Sequence, residues 1–320
     1  MMIVIVAGIP AWGGSLHFYH VFKDQGFDTK YYLASKTDPT NMKNSEVWKR
    51  IPKEDIFYYD NISIYLDYWK ENDAKIILFP MHPEKSKPIF KSFTGKISTF
   101  LTPSKYRKKF KLYHTKIDKY NIVPFAPPDS IRFSGNFKNK NIMLLHPAEF
   151  DYIKPEKPTD KFVIVHAPGS SREGKIRSKR FGSKQIKDAI RIIKEKYPNI
   201  EYKTITDYDW EDGLKEKANA HILISAINTE YGGTGKNAFE GIALDCVVMT
   251  SINNWTYQES EFYPPHPILN IESKEDVVNI LDDLLKDDMF QYKMYYEWTK
   301  WFKQFIGYRN TFNYMSQFMF

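Results

Sequence analysis

The sequence predicts an α/β protein of two domains, each built on a doubly wound parallel sheet. Short apolar runs of strand length alternate with segments of helical periodicity along the chain, which is typical of βα units. Glycine-rich turns follow two of the apolar runs, at residues 8–15 (GIPAWGGS) and 228–235 (NTEYGGTG). The length of 320 residues fits two domains of ordinary size.

The predicted elements divide the chain into residues 1–155 and 156–320. Strands are predicted in the first domain at 2–7, 28–33, 76–80 and 97–102, with helices at 15–25 and 104–113. Strands are predicted in the second domain at 162–167, 201–206, 221–226, 246–250 and 268–271. An amphipathic helix is predicted at 183–197, and the aromatic tail from Lys274 onward is predicted to be helical.

Composition limits where the protein works. The sequence has no apolar run of the ~18–20 residues that a membrane span needs. It starts directly with the strand at 2–7, so no signal peptide is predicted. The single cysteine, Cys246, lies in an apolar run and is predicted to be core. We therefore expect a cytoplasmic protein, or one of the host cytoplasm if its source is viral.

The most informative segment is 228–243 (NTEYGGTGKNAFEGIA), which lies between two apolar runs. A strand, glycine loop, helix and strand in succession leave backbone N–H groups free at the helix start, where a phosphate can bind. We expect Gly233, Thr234 and Gly235 to contact such a phosphate. Glu240, on the first turns of the helix, would accept hydrogen bonds from ribose hydroxyls. The alternative is an ordinary turn whose glycines only permit positive φ.

A basic loop follows the apolar run 162–167, which breaks at Pro168 and Gly169. Its cations are Arg172, Lys175, Arg177, Lys179 and Arg180. Arginine as a bidentate fork and lysine as a mobile point charge both suit a diphosphate. The alternative is a solvated surface loop. Two phosphate-type loops at the carboxyl ends of strands in one sheet favour a ligand site, because ligands bind at that edge of open α/β sheets.

These segments together resemble the retaining glycosyltransferase family 4, also called glycosyltransferase group 1. The specific part of the resemblance runs from residue 162 to 250: the strand end 166–172 (HAPGSSR), the basic loop, the glycine loop and Glu240. Looser matches are 10–15 (PAWGGS), 101–106 (LTPSKY) and 145–155 (LHPAEFDYIKP). The family has the GT-B fold, in which two Rossmann-like doubly wound domains face a cleft.

The resemblance implies an activity and a division of labour. A sugar would pass from a nucleotide-diphosphate donor to an acceptor with retention of configuration. Residues 1–155 would form the acceptor side and residues 156–320 would bind the donor, with the final helix crossing back to the first domain. A UDP-sugar is the expected donor and a GDP-sugar the alternative. No metal and no tightly bound cofactor are expected, because the basic loop supplies the positive charge.

The resemblance also implies residue roles. Arg172 and Lys175 would neutralise the charge that grows on the departing diphosphate. Gly13 and Gly14 would let the first domain approach the phosphates. His82, which follows the predicted strand at 76–80, is matched to a first-domain histidine that contacts the donor sugar or phosphate.

The chain departs from the family pattern in two places. The family often has two glutamates separated by seven residues, and Gly232 stands where the first would be. Either the loop has gained two residues and Glu230 serves, or the acidic contact to the sugar is lost. After Glu240, Gly241 and the segment 245–247 (DCV) replace the usual small residue and Gly-x-Pro.

Two other motifs compete with this interpretation. Residues 8–15 have P-loop spacing, but Gly14 stands where the phosphate-binding lysine belongs, which disfavours an NTPase. Asp207 and Asp209 have the spacing of a metal-binding Asp-x-Asp. We interpret them as acids at a helix N-terminus, where negative charge is favoured.

The acceptor stays open. The segment 104–111 (SKYRKKFK) is strongly basic, and the net charge is +7. It is interpreted as a solvated helix face, as a peripheral contact to an anionic membrane, or as a contact to nucleic-acid phosphates. The acceptor classes are therefore a glycan, a lipid-linked glycan or a modified base in duplex DNA. Two other functions remain: a nucleotide-sugar epimerase, and a non-catalytic nucleic-acid-binding protein on the same scaffold.

Overall fold

The chain divides into two compact units. A computed structural model describes residues 1–7, 14–34, 45–79, 88–89, 92–94, 96–100, 122–126, 142–168, 181–206, 208–227, 235–252 and 263–320. The first unit comprises Met1–Pro147 and Tyr308–Phe320, and the second comprises Ala148–Gly307. Residues 148–155, which the sequence analysis assigned to the first domain, thus lie in the second unit. The acceptor and donor roles of the two domains stay a prediction.

The described strands are numbered in chain order. They are β1 Met2–Ala7, β2 Asp28–Leu33, β3 Ile56–Tyr58, β4 Lys75–Phe79, β5 Ile97–Phe100, β6 Ile122–Ala126, β7 Ile142–Met143, β8 Phe162–His166, β9 Ile200–Thr204, β10 Ile222–Ile224, β11 Val247–Thr250 and β12 Leu269–Asn270. The described α-helices are α1 Gly14–Lys23, α2 Glu46–Lys49, α3 Leu66–Glu71, α4 Ser183–Lys196, α5 Trp210–Ala218, α6 Lys236–Ala243, α7 Lys274–Leu285, α8 Phe290–Phe302 and α9 Tyr308–Met319. Within these ranges no helix has the length and apolar character needed to cross a membrane.

The first unit is built on a parallel sheet in the order β3-β2-β1-β4-β5-β6-β7. All six residues of β1 are buried, as expected for a central strand covered on both faces. Helix α1 buries an apolar face that includes Phe18 and Phe22. The final helix α9 packs on α1, where the Phe312 ring lies 5.7 Å from the Phe22 ring and Tyr308 Oη lies 2.7 Å from His17 Nδ1.

The second unit has a parallel sheet in the order β12-β11-β10-β8-β9. Helix α4 covers it with a stripe of buried residues at helical spacing: Ile186, Ala189, Ile190 and Ile193. Helix α7 begins with a capping box, in which the Ser273 side chain accepts from the Asp276 N–H and the Asp276 carboxylate accepts from the Ser273 N–H.

Each sheet has a topological switch point. In the second unit β8 lies between β9 and β10, so the chain leaves β8 to one side and returns on the other. In the first unit β1 lies between β2 and β4 in the same way. Open α/β sheets bind ligands outside the carboxyl ends of the two strands that flank such a point. The second switch point therefore lies beyond His166 of β8 and Ile224 of β10.

The predicted α/β fold with two doubly wound parallel sheets is confirmed. The strands Met2–Ala7 and Asp28–Leu33 match their predictions, and the other predicted strands are found with ends shifted by one or two residues. The sequence analysis missed β3, β6 and β7. Strands of two or three residues are too short for an alternating pattern, and Pro124 inside β6 reads as a break. The predicted helix at 104–113 lies outside the described residues.

Candidate functional site

Helix α6 begins at the switch point of the second sheet. Its second residue, Asn237, donates from Nδ2 to the Ala167 carbonyl (3.4 Å) and to Ser225 Oγ (3.2 Å). Ala167 directly follows β8, and Ser225 directly follows β10. One side chain of α6 thus bridges the carboxyl ends of the two strands that flank the switch point. This places the first turn of α6 where an open α/β sheet binds its ligand.

Gly241 lets α6 approach the sheet closely. A Cβ at this position would lie 2.5 Å from Leu223 Cδ2 and 3.0 Å from Val248 Cγ2, closer than carbon atoms pack. Leu223 lies on β10 and Val248 on β11, so the glycine seats the helix between its two neighbouring strands. The departure from the family pattern at Gly241 therefore has a packing reason.

Glu240 lies one turn into α6, facing α5, and is only 4% exposed. Its Oε1 accepts from Trp210 Nε1 (2.8 Å) and pairs with Lys236 Nζ (3.0 Å), and its Oε2 pairs with Lys217 Nζ. The Lys236 ammonium also lies 4.3 Å from the centroid of the Trp210 ring, a cation–π contact. We call Trp210, Lys217, Lys236 and Glu240 the Glu240 cluster.

Charge decides the protonation of this cluster. Burial acts to raise the pKa of Glu240, but the charges of Lys217 and Lys236 outweigh it and hold the pKa well below its usual range. Burial lowers the pKa of Lys236, opposed by the charge of Glu240 and reinforced by that of Lys217. The carboxylate is therefore ionised at neutral pH, and the cluster contains two lysines for one glutamate.

The ribose role of Glu240 stays a prediction, but its surroundings are now defined. A carboxylate has about four lone-pair positions for hydrogen bonds. Three of them are used by Trp210, Lys236 and Lys217. Any ligand that binds Glu240 through both oxygens has to displace one of these donors.

Two predicted glycines are also described. Gly14 is the first residue of α1, and Gly235 is the N-cap of α6 with an extended backbone. Gly235 offers no side chain to cap the helix, but its carbonyl accepts from the Ala238 N–H (2.9 Å) in the first turn of α6. The structure thus places Gly235 and Glu240 at the start of one helix. The remaining predicted residues lie outside the described ranges: Gly13, His82, Arg172, Lys175, Glu230, Gly233 and Thr234.

His166, the last residue of β8, forms hydrogen bonds to β10 and to α4. Its Nδ1 donates to the Ile224 carbonyl (2.8 Å), which can only accept, so its Nε2 accepts from Ser183 Oγ (2.8 Å). Burial lowers the pKa of His166 to about 4. Both ring nitrogens are engaged in holding β8 to β10 and to the first turn of α4. This geometry agrees with a structural role for His166.

Asp209 lies at the N-terminus of α5, as the sequence analysis interpreted it. Asp209 is the N-cap residue of α5, but its side chain forms no capping hydrogen bond. Glu211 and Asp212 lie in the first turn, where their negative charge interacts favourably with the helix dipole. Asp207 lies outside the described residues. Across the described part of the chain no group of three or more His, Cys, Asp or Glu side chains could hold a metal ion. Metal independence stays a prediction.

Sequence reasoning missed three members of the cluster. Lys236 precedes Glu240 by four residues, a spacing that pairs side chains on a helix and could have been noticed. Trp210 and Lys217 are 30 and 23 residues from Glu240 and lie on another helix, so nothing in the sequence pattern joins them. Cys246 is fully buried, as its apolar surroundings predicted.

Similarity to solved structures covers almost the whole chain. A glycosyltransferase from Rickettsia africae ESF-5 is 13% identical with a TM-score of 0.63, covering 99% of this chain and 97% of that one. Anabaena HepE, in complex with UDP and glucose, is 10% identical with a TM-score of 0.66, covering 99% and 98%. A protein from Listeria monocytogenes proposed to be a UDP-N-acetylglucosamine 2-epimerase is 10% identical with a TM-score of 0.58, covering 99% and 94%. No protein-family model matches the sequence, and no curated protein is similar to it in sequence.

The class that these neighbours define is the GT-B fold. The chain has this fold, as the sequence resemblance implied, and the neighbours that share it include a glycosyltransferase and a protein solved with UDP and glucose. At 10–13% identity the likeness establishes the fold and leaves the reaction to be argued from the site.

Proposed function

We propose that the chain is a retaining glycosyltransferase that moves a hexosyl group from a nucleotide-diphosphate donor. The observation that carries this proposal is Glu240: an ionised, buried carboxylate on α6, at the switch point of the second sheet of a GT-B fold. A carboxylate in that place suits the vicinal hydroxyls of a ribose. The glycine loop before α6 suits the phosphates that follow the ribose in a nucleotide sugar.

The donor is proposed to be a UDP-sugar, with a GDP-sugar as the alternative. Similarity to Anabaena HepE, solved with UDP and glucose, supports uridine. Arg172 and Lys175 are the proposed contacts to the diphosphate. Their positive charge would lie against the leaving group, where it would stabilise the transition state more than the ground state and make a metal ion unnecessary.

The proposal includes further donor contacts in both units. Gly233, Thr234 and Gly235 supply backbone N–H groups before α6, and Glu230 takes the place of the missing acid. In the first unit the proposed contacts are Gly13, Gly14 and His82. The acceptor is a glycan, a lipid-linked glycan or a base in duplex DNA. The enzyme would be cytoplasmic, with peripheral membrane contact if its acceptor is lipid-linked.

The test is nucleotide release from UDP-, GDP-, dTDP- and ADP-sugars by the wild-type chain, Glu240→Gln and Arg172→Ala. Slow hydrolysis of one donor is expected, with the loss of that hydrolysis in both variants. Arg191→Ala is the matched control, since Arg191 is an exposed arginine on α4 whose side chain is 75% accessible. If no donor is hydrolysed and none of the parent nucleotides raises the melting temperature, the proposal is wrong.

An epimerase is the second candidate, favoured by the similarity to the Listeria protein. A complete epimerase cycle returns a nucleotide sugar and releases no free nucleoside diphosphate. Product analysis by NMR therefore separates the two enzymes. A non-catalytic nucleic-acid-binding protein would respond to no nucleotide sugar and would bind duplex DNA in a salt-dependent way.

A further inference from the structure

The Glu240 cluster holds more positive than negative charge. Lys217 and Lys236 both pair with Glu240, which is the one carboxylate that the described residues place against them. The Lys217 and Glu240 side chains are 7% and 5% exposed, and that of Lys236 is 17% exposed. A buried cation without its own counter-ion is unfavourable, and it is relieved when an anion binds beside it. The cluster is therefore set up to accept one more negative charge.

Lys236 is the member that can move. Lys217 lies in the last turn of α5, where its side chain is only 7% exposed and the Cys246 thiol donates to its backbone carbonyl (3.0 Å). Lys236 is the first residue of α6, and its ammonium reaches back over the Trp210 ring to Glu240. A lysine ammonium is a point charge on a flexible four-carbon stem, so it can exchange partners without moving the helix.

We infer that Lys236 is a diphosphate-binding residue that exchanges places with the ribose. In the structure its ammonium lies on Glu240 Oε1. When a nucleoside diphosphate binds, the ribose hydroxyls take this position on Glu240, and the ammonium turns to the diphosphate at the start of α6. This inference rests on the proposed function and assigns to Lys236 a contact that adds to those of Arg172 and Lys175.

The exchange has a consequence that a purely structural lysine would not produce. Removing the ammonium takes a charge-assisted hydrogen bond from the diphosphate but also removes the competitor of the ribose for Glu240. A ligand with phosphates should therefore lose affinity, while the same nucleoside without phosphates should not. A lysine that only stabilises the fold would affect both ligands equally.

The experiment compares UDP with uridine, and GDP with guanosine, by ligand-observed NMR titration of wild type and Lys236→Met. The variant is expected to bind the diphosphate about tenfold or more weakly, and to bind the nucleoside at least as tightly as wild type does. Lys236→Arg, which keeps the cation and its reach, is expected to recover most of the diphosphate affinity. Lys215→Met is the control, because Lys215 is an exposed lysine on α5 that pairs with Asp212.

Equal weakening of diphosphate and nucleoside, or an unchanged diphosphate affinity, would overturn the inference. If Lys236→Met does not fold, as judged by its melting curve, Lys236→Gln carries the same comparison. If wild type binds neither pair, the proposed function fails and the inference fails with it. If wild type binds a pair and the variant does not discriminate, only the role of Lys236 is wrong.

Discussion

Asp55 in the first unit and Glu240 in the second are buried carboxylates with the same kinds of partner. Asp55 accepts from Tyr19 Oη (2.6 Å) and pairs with Lys23 (2.7 Å) and Lys30 (2.6 Å). We call these four residues the Asp55 cluster. Each cluster thus has two lysines and one aromatic side chain that donates a hydrogen bond. They differ in charge balance and in their position on the sheet.

The Asp55 cluster is balanced by a second acid. Lys30 also pairs with Asp28 at 3.2 Å, so two lysines face two carboxylates. Burial acts to lower the pKa of Lys30, but hydrogen bonds to Asp55 and Asp28 outweigh it and raise the pKa above its usual value. The pKa of Lys236 is lowered instead, although its carboxylate lies nearly as close. Burial is the largest cause of the lowering at Lys236, and the charge of Lys217 adds to it, whereas two carboxylates offset the burial of Lys30.

The two clusters also lie at opposite edges of their sheets. Asp55 directly precedes β3, and Asp28 is the first residue of β2, so the Asp55 cluster lies at the amino ends of parallel strands. Helix α6 begins beyond the carboxyl ends of β8 and β10, where ligands bind to such sheets. The two clusters are thus alike in composition and differ in charge balance and sheet edge. The proposed nucleotide site is the one with unbalanced charge at the carboxyl edge.

The largest expected effect is the loss of the carboxylate itself. Glu240→Ala leaves Lys217 and Lys236 buried without a counter-charge and should lower the free energy of unfolding by about 3–5 kcal/mol. Asp55→Ala should cost less, because Lys23 is 37% exposed and its ammonium can return to water. Denaturant unfolding of both variants measures the difference. Asp212→Ala, at an exposed acid of α5, is the control and should change little. Equal losses of stability in the two variants would contradict the expectation that the exposed Lys23 ammonium returns to water.

Low pH should reduce the free energy of unfolding through His166, at the carboxyl edge of the second sheet. The pKa of His166 is about 4 in the folded chain and 6.5 unperturbed, so the unfolded chain binds the extra proton between those values. The contribution of neutral His166 to the free energy of unfolding is therefore fully present above pH 6.5. It is lost as the pH drops toward 4, by about 3 kcal/mol. His221 has the same shift and the same sign. Unfolding at pH 7 and 4.5 should show a clearly smaller difference for His166→Gln than for wild type. An unchanged difference would exclude His166 as its source.

A smaller effect tests how α6 is seated. Gly241→Ala places a methyl group 2.5 Å from Leu223 Cδ2 and should cost about 1–3 kcal/mol in the free energy of unfolding. Gly213→Ala is the matched control on α5, because its added carbon would meet Ile205 Cγ2 at an ordinary 3.6 Å. The control should be neutral or stabilising, since alanine favours a helix interior. Denaturant unfolding compares the two variants, and a tolerated Gly241→Ala would mean that α6 is not held closely to the sheet.

The smallest effect concerns charge balance alone. Asp28 is 55% exposed, so Asp28→Asn should change the free energy of unfolding by less than about 1 kcal/mol. The variant gives the Asp55 cluster the same charge balance as the Glu240 cluster, but at the amino edge of its sheet. We expect it to gain no affinity for UDP in a calorimetric titration. Acquired binding would show that charge matters and position does not.

The sequence predicted the fold better than the site. Apolar runs and glycine turns were enough to predict parallel sheets, since strand burial and turn conformation are local properties. Glu240 could be singled out because it lies on the short helix that directly follows the glycine-rich segment of the sequence. Trp210 and Lys217 could not, because packing of α5 against α6 brings them to Glu240 from more than twenty residues away. Asn237 was missed for the same reason, since its partners Ala167 and Ser225 meet it only in the folded sheet.

The most direct measurement is a calorimetric titration of UDP into the wild-type chain, Glu240→Gln and Asp55→Asn. Each variant removes one buried negative charge with little change in shape, and melting curves establish that both are folded at the temperature used. If the Glu240 cluster is the nucleotide site, UDP binds wild type and Asp55→Asn alike and binds Glu240→Gln about tenfold or more weakly. UDP affinity that is unchanged in Glu240→Gln, or lost equally in Asp55→Asn, would contradict a nucleotide site at the switch point of the second sheet.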